Sequence, residues 1–252
     1  MEVVMAFLFI AASGEERLSA LAAPGRGLAS LAYSLDHPFP MPRMGLRGGC
    51  MVLGGRVRSS RAGETANECR RRGIGTVITG FMPSPALELL RFVEALQRRG
   101  IGVILAEESW QEGCGAGLLI STAVSGGTLE QRLMEAKARR GEIWLDLERT
   151  RRVFPLPCPD GCGDPLTRAE LEQLLREGDT PFFSEALQCK ASVLRDPVRI
   201  LLYDDAETLC GKASLAQRLG ISRGLLLIPE EWSREELEAA EKACNMKTPA
   251  VI

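Results

Sequence analysis

The string Arg-Arg-Gly-Ile-Gly occurs twice in this chain, at Arg71–Gly75 and at Arg98–Gly102, and each copy runs into a short apolar segment. Those segments are Thr76-Val-Ile-Thr79 and Val103-Ile-Leu-Ala106. Arg139-Arg-Gly-Glu-Ile-Trp-Leu145 repeats the arrangement, as does Arg218-Leu-Gly-Ile-Ser-Arg-Gly-Leu-Leu-Leu227. A basic last turn suits the negative end of a helix dipole, and glycine supplies the left-handed residue that stops a helix. A run of Val, Ile and Leu then reads as a strand buried on both faces. Helix-stop-strand units in series predict a βαβ architecture.

At 252 residues the chain has the length of one (β/α)₈ barrel, roughly 250 residues, or of a large open doubly wound sheet. Apolar runs bounded by turn residues predict strands at Cys50–Leu53, Thr76–Phe81, Val103–Glu107, Leu118–Thr122, Glu142–Glu148, Pro181–Leu187, Arg199–Asp204 and Gly224–Pro229. Helices are expected over Ser84–Arg99, Leu129–Arg139, Arg168–Arg176 and Ala206–Leu219. The second and third open on the capping boxes Thr128-Leu-Glu-Gln131 and Thr167-Arg-Ala-Glu170. This predicts a single (β/α)₈ TIM-like barrel over residues 46–252, with an open doubly wound α/β sheet as the alternative. Residues 1–45, with the Pro-rich Asp36–Arg43, read as an N-terminal extension packed on the barrel, and no second domain is expected.

Net charge is −2 with both signs interspersed, which leaves no footprint for nucleic acid. No apolar run is long enough to span a membrane. Val3–Ala12 reads as a buried segment in a cytoplasmic protein, or as the core of an export signal. The eight cysteines build no regular framework, so reduced thiols are expected. Cys158-Pro-Asp-Gly-Cys162 fits a turn better than half of a zinc site. The one histidine, His37, lies in the Pro-rich stretch, which leaves nucleophilic triads without a base. Neither a cofactor nor a resident metal is implied, and the oligomeric state is open.

In a barrel, chemistry belongs at the carboxyl ends of the strands. There this sequence sets Glu107-Glu108, Asp146-Leu-Glu148, Ser184-Glu185, Tyr203-Asp204-Asp205 and Glu230-Glu231-Trp232. Asp146 and Glu148 are two apart, so an extended backbone points both the same way, and burial against apolar helices would be costly. The pair is therefore expected to face the barrel mouth. Such a rim suits acid/base work on a sugar linkage, which needs a proton donor at the leaving oxygen and a second group stabilising the cationic centre. Glu107, Glu185, Tyr203, Asp204, Glu230 and Trp232 are the candidates for substrate binding. A metal-assisted hydrolase using Asp146, Glu148, Glu185 and Asp204 as oxygen ligands is a further reading. Acidic residues at strand ends also cap helices, as Asp204 or Asp205 could for Ala206–Leu219. Ser125-Gly-Gly-Thr128 reads as a tight turn before a helix rather than a phosphate cradle.

Val198-Arg-Ile-Leu-Leu-Tyr-Asp-Asp-Ala-Glu-Thr-Leu209, with Lys212, Leu215, Ala216, Leu219-Gly220 and Gly224–Ile228, resembles the last two strands of glycoside hydrolase family 18. That family includes chitinases and the spore-cortex hydrolases of endospore-forming bacteria. The resemblance implies a bacterial barrel acting on or binding N-acetylated glycans, with Glu148 as general acid and Asp146 orienting the N-acetyl group. The family carries alternating aspartates ending in Asp-x-Glu on its fourth strand. Here Asp146-Leu147-Glu148 follows Trp144 on the fifth strand of the sequence count, and Pro229 or Trp232 replaces the family's terminal aromatic residue. A non-catalytic relative that binds a ligand or serves assembly is the alternative.

Overall fold

The computed structural model describes residues 8–12, 27–32, 49–139, 141–158, 161, 163–195, 197–221, 223–227 and 238. The chain divides into two compact units. The first is drawn from Met1–Ile120, Ala136–Asp146 and Ile221–Ile228, the second from Ser121–Glu135, Leu147–Gly220 and Pro229–Ile252.

The first unit is a closed barrel. Its strands are β1 (Leu8–Ala12), β2 (Gly27–Ala32), β3 (Cys50–Leu53), β4 (Thr76–Thr79), β5 (Gly102–Ala106), β6 (Gly117–Ser121), β7 (Ile143–Asp146) and a last strand, Gly224–Leu227. They close in the order β1, last strand, β7, β6, β5, β4, β3, β2. Registered pairs run parallel around it, from Ile10 opposite Leu28 to Leu225 opposite Asp146. Every strand sends a buried residue into one apolar cluster: Ala11, Ala29, Cys50 and Val52, Ile78, Ile104, Leu119, Trp144 and Leu225. That cluster is the barrel interior. Alternate residues Met51, Leu53, Val77, Val103 and Leu105 pack outward against Phe92, Val93 and Leu96. This is the period-two alternation of strands buried on both faces.

Helices α1 (Ala62–Arg72) and α2 (Ala86–Gln97) lie between β3 and β4 and between β4 and β5. The repeated glycine acts as the sequence predicts. Gly73 caps α1 at φ 67°, and the next N–H, of Ile74, reaches back to Cys69 O at 2.8 Å. Gly117 is needed for close packing instead, since a Cβ there would lie 2.8 Å from Glu142 O and 2.5 Å from Ile104 Cδ1. Between β5 and β6 the chain makes one 3₁₀ turn, Glu107–Ser109, in place of a helix. Helix α3 (Leu129–Ala138) returns the chain to β7.

The second unit holds a five-stranded sheet. Its strands are β8 (Arg151–Pro155), β9 (Asp164–Pro165), β10 (Phe182–Ser184), β11 (Cys189–Arg195) and β12 (Val198–Tyr203), in the order β10-β11-β12-β8-β9, and all its pairs are antiparallel. Helix α4 (Arg168–Glu177) opens on the complete Thr167–Glu170 capping box and packs Leu171, with Leu174 and Leu175, against Leu201 and Tyr203. Helix α5 (Ala206–Arg218) follows β12 and leads to the last barrel strand, now β13.

The TIM-like barrel holds, and the sheet is closed rather than open. Two assignments move. Pro181–Leu187 and Arg199–Asp204, expected as barrel strands, lie in the antiparallel sheet. Leu8–Ala12 and Gly27–Ala32, placed in an N-terminal extension, are barrel strands. The hairpin between β11 and β12 explains the first difference: strands joined by a few residues pair antiparallel, while a parallel neighbour needs a crossover of a dozen or more. The second follows from composition. Gly27-Leu-Ala-Ser-Leu-Ala32 has little bulk and no β-branched residue, so it lacks the signal of a buried strand. The single barrel expected over 46–252 is likewise interrupted, between β7 and β13, by the second sheet.

Candidate functional site

Asp146 is the last residue of β7, two residues beyond the buried interior Trp144 and on the same face of the strand. It is half-buried and belongs to the first unit, whereas Glu148 belongs to the second. Glu148 lies past the strand, exposed, and its Oε2 accepts a hydrogen bond from Ser121 Oγ at 2.7 Å. Its backbone carbonyl accepts from Thr122 Oγ1 at 3.2 Å. Ser121 and Thr122, where β6 ends, therefore hold Glu148 by both side chain and backbone. The sequence reading missed these two hydroxyls. Their signal is faint, because Ser-Thr after an apolar run also reads as a plain turn.

Below the rim, the barrel is closed by aromatic packing. Phe9 stacks on Trp144 with ring centroids 5.2 Å apart. Trp144 Nε1 donates to Glu142 Oε1 at 2.9 Å, and Arg223 Nη1 pairs with that same oxygen at 3.0 Å. The Arg223 guanidinium also lies 5.4 Å from the Trp144 ring centroid. Glu142 and Arg223 precede their strands, so this group closes the amino end, the face that serves stability in such barrels.

Each described substrate-binding candidate has its own local contacts. Glu107 Oε1 sits 3.5 Å from Arg139 Nη1, and that guanidinium stands over Trp110 at 5.7 Å. Trp110 packs against the helix-side core, so Glu107 serves the outer layer rather than the mouth. Glu185 is exposed in the turn between β10 and β11, where its carbonyl accepts from Gln188 Nε2 at 2.8 Å. Glu230 and Trp232 lie outside the described residues.

Tyr203 and Asp204 are core residues rather than a sugar-binding surface. Tyr203 is 8% exposed among the α4 leucines, and burial raises its hydroxyl pKa above the ordinary tyrosine range. Asp204 is buried with Lys212, at 2.6 Å from Nζ to Oδ2. The same Oδ2 accepts the Thr150 N–H at 2.6 Å, and Oδ1 accepts from Thr208 Oγ1 at 2.8 Å. Asp205, the other capping candidate, takes that part: its side chain accepts from Thr208 N, completing a capping box with Thr208. Burial would lift the Asp205 carboxyl, but hydrogen bonds from Lys190 and from the backbone of Thr208 and Glu207 bring it below the usual range.

Among the described residues no three His, Cys, Asp or Glu side chains converge as a metal site would require. Cys50, Cys69, Cys114 and Cys189 carry free thiols, while Cys162 lies outside the described residues. Among the described residues no helix is long and apolar enough to cross a membrane.

No protein-family model and no curated protein matches the sequence. The fold does match solved structures. A chitinase from Chromobacterium violaceum superposes with a TM-score of 0.63 at 13% identity, over 96% of this chain and 100% of that one. This chain has the glycoside hydrolase family 18 fold. A family 18 N-acetylglucosaminidase from Paenibacillus barengoltzii matches with a TM-score of 0.60 at 11% identity, over 94% and 99% of the two chains. The spore cortex-lytic enzyme SleL of Bacillus megaterium matches with a TM-score of 0.59 at 11% identity, over 94% of this chain and 73% of its own. At these identities the family 18 likeness is one of fold, in a divergent form.

Proposed function

We propose that this chain is a glycan-binding barrel that keeps the family 18 fold without the family's hydrolytic acid. The observation that carries this reading is the fourth strand of the barrel. The family resemblance implies a carboxylate run ending in Asp-x-Glu on that strand. Here the strand is Thr76-Val-Ile-Thr79, followed by Gly80-Phe81, with no carboxylate. Ile78 fills the barrel interior, Phe81 packs against the same cluster, and Thr79 Oγ1 is spent on Leu53 O at 3.2 Å. A proton donor and a second group for the cationic centre are what glycoside cleavage needs, and strand four offers neither.

The neighbouring structures supply the ligand class. Their names describe chitinases, an N-acetylglucosaminidase and a cortex-lytic enzyme, so N-acetylated glycan is the ligand proposed here. Glu148 is then a hydrogen-bond acceptor for sugar hydroxyls or the acetamido N–H. The competing reading gives Glu148 the general-acid role, with Asp146 orienting the acetamido group. The placement of Asp146 on the interior face of β7 favours that reading; Glu148, exposed and past the end of the strand, does not.

Calorimetry with N-acetylglucosamine oligomers and a reducing-end assay on the same samples separate the two. Binding without release of reducing ends is expected. Turnover that Glu148→Gln abolishes would overturn the non-hydrolytic reading, and absence of both binding and turnover would overturn the glycan reading itself.

A further inference from the structure

The buried Asp204–Lys212 pair has a cost that the fold alone does not explain. Two charges taken out of water lose hydration that their mutual attraction only partly returns, and apolar side chains of similar volume commonly stabilise as well. What apolar side chains cannot do is accept a hydrogen bond. Asp204 Oδ2 takes the N–H of Thr150, 54 residues away in sequence, and the Asp204 N–H returns to Thr150 O at 2.8 Å. Lys212 Nζ, 3.4 Å from Thr150 Oγ1, touches the same residue. Arg149 Nε reaches Asp204 O at 3.4 Å. Two residues before Thr150 stands Glu148, fixed on its other side by Ser121 and Thr122. Glu148 thus sits between two anchors, one of hydroxyls at the end of β6 and one of buried charge at the start of α5. Every group in this chain of contacts lies in the second unit.

We propose that Asp204 and Lys212 are positioning residues: they clamp Thr150 and so fix where Glu148 presents its carboxylate to the glycan. This rests on the glycan reading above. Lys212 donates to Asp204 Oδ2, Thr208 holds the second carboxylate oxygen, and the remaining acceptor capacity of Oδ2 goes to the Thr150 amide. Neither residue touches ligand.

The test compares two charge-free double variants of the full chain, Asp204→Leu/Lys212→Met and Asp204→Asn/Lys212→Met. Both remove the ion pair, but only the asparagine keeps an acceptor for the Thr150 amide. Amide hydrogen exchange at Thr150 and affinity for N-acetylglucosamine oligomers are read on each. In the leucine variant exchange should quicken at least ~10-fold and affinity fall about tenfold, the size of one lost hydrogen bond to an ionised group. The asparagine variant should recover most of both. Equal behaviour of the two variants, or wild-type exchange and affinity in the leucine variant, overturns the proposal. Should the leucine variant not fold, Thr208→Val, which frees Asp204 Oδ1 and also the Asp205 N–H of the capping box, must still quicken exchange at Thr150, and unchanged exchange is the refuting result. A wild type that ignores the oligomers refutes the glycan reading, while the exchange comparison still decides whether the clamp exists.

Discussion

Lys212 Nζ lies 2.6 Å from Asp204 Oδ2, with both side chains shut away from solvent. Removing one partner leaves the other charged and buried, which costs about 3–5 kcal/mol. Lys212→Ala should therefore lose that much stability in urea unfolding, and Asp204→Ala a similar amount. A loss below about 1 kcal/mol, the range of exposed ion pairs, would mean that the pair is hydrated in solution.

Trp144 is the largest side chain in the barrel interior, and Phe9 stacks directly on it. Trp144→Ala should cost about 3–5 kcal/mol by the cavity it opens. Trp144→Phe keeps most of the volume, loses only the bond to Glu142, and should cost less than half as much. Chemical denaturation of the two variants checks the order.

The cap at Asp205 carries a pH dependence. Its carboxyl titrates below the ordinary aspartate value in the folded chain. The stabilisation it supplies is therefore complete above the unfolded pKa, about 3.9, and is lost as pH falls through the lower folded value. Asp205→Ala should cost roughly 1 kcal/mol at pH 7 and progressively less below about pH 4. A difference that stays constant down to pH 2 would refute the assignment.

Buried thiols act at the other end of the scale. Burial pushes Cys50 up to about 12 and both Cys69 and Cys189 to about 11. The folded state resists their ionisation, so stability is unaffected below the unfolded thiol pKa, about 8.5, and falls as pH rises from there toward the folded values. The slope contributed by each thiol is about 1.4 kcal/mol per pH unit. Cys189→Ala should flatten the alkaline decline, which thermal melts between pH 8 and pH 10.5 will measure. At pH 8 the native protein should resist alkylation at all three, while the half-exposed Cys114 reacts.

Gly117 allows β6 to pass close to the carbonyl that precedes β7. A Cβ placed 2.8 Å from Glu142 O must push backbone, not a flexible side chain, so Gly117→Ala should cost about 1–3 kcal/mol. Gly126, whose Cβ would meet nothing within 4 Å, is the control and should tolerate alanine with little loss.

What the chain settles by itself is local. The Arg-Arg-Gly-Ile-Gly repeats announce helix stops, and Gly73 and Gly100 take up the left-handed backbone those stops require. The box at Thr167 and Glu170, the cap at Asp205 and the apolar run at Val103–Ala106 are legible because each depends on neighbours a few residues apart. Closed-barrel architecture follows from the same units repeated, since a buried parallel strand must be followed by a crossover that brings the chain back.

Tertiary structure decides what sequence distance hides. Val198–Tyr203 and Leu8–Ala12 are both apolar strands, and nothing within either says which sheet it joins. Pairing partners decide that: β12 finds β11 and β8, while β1 finds β2 and β13, more than 200 residues further on. The site divides in the same way. Asp146 and Glu148 stand out as a strand-end pair, but Ser121, Thr122 and Thr150 acquire meaning only once the fold sets them beside Glu148 and Asp204. Asp204 reads as one more acid on a rim until Lys212 is found against it, because burial belongs to the packed chain and not to the residue.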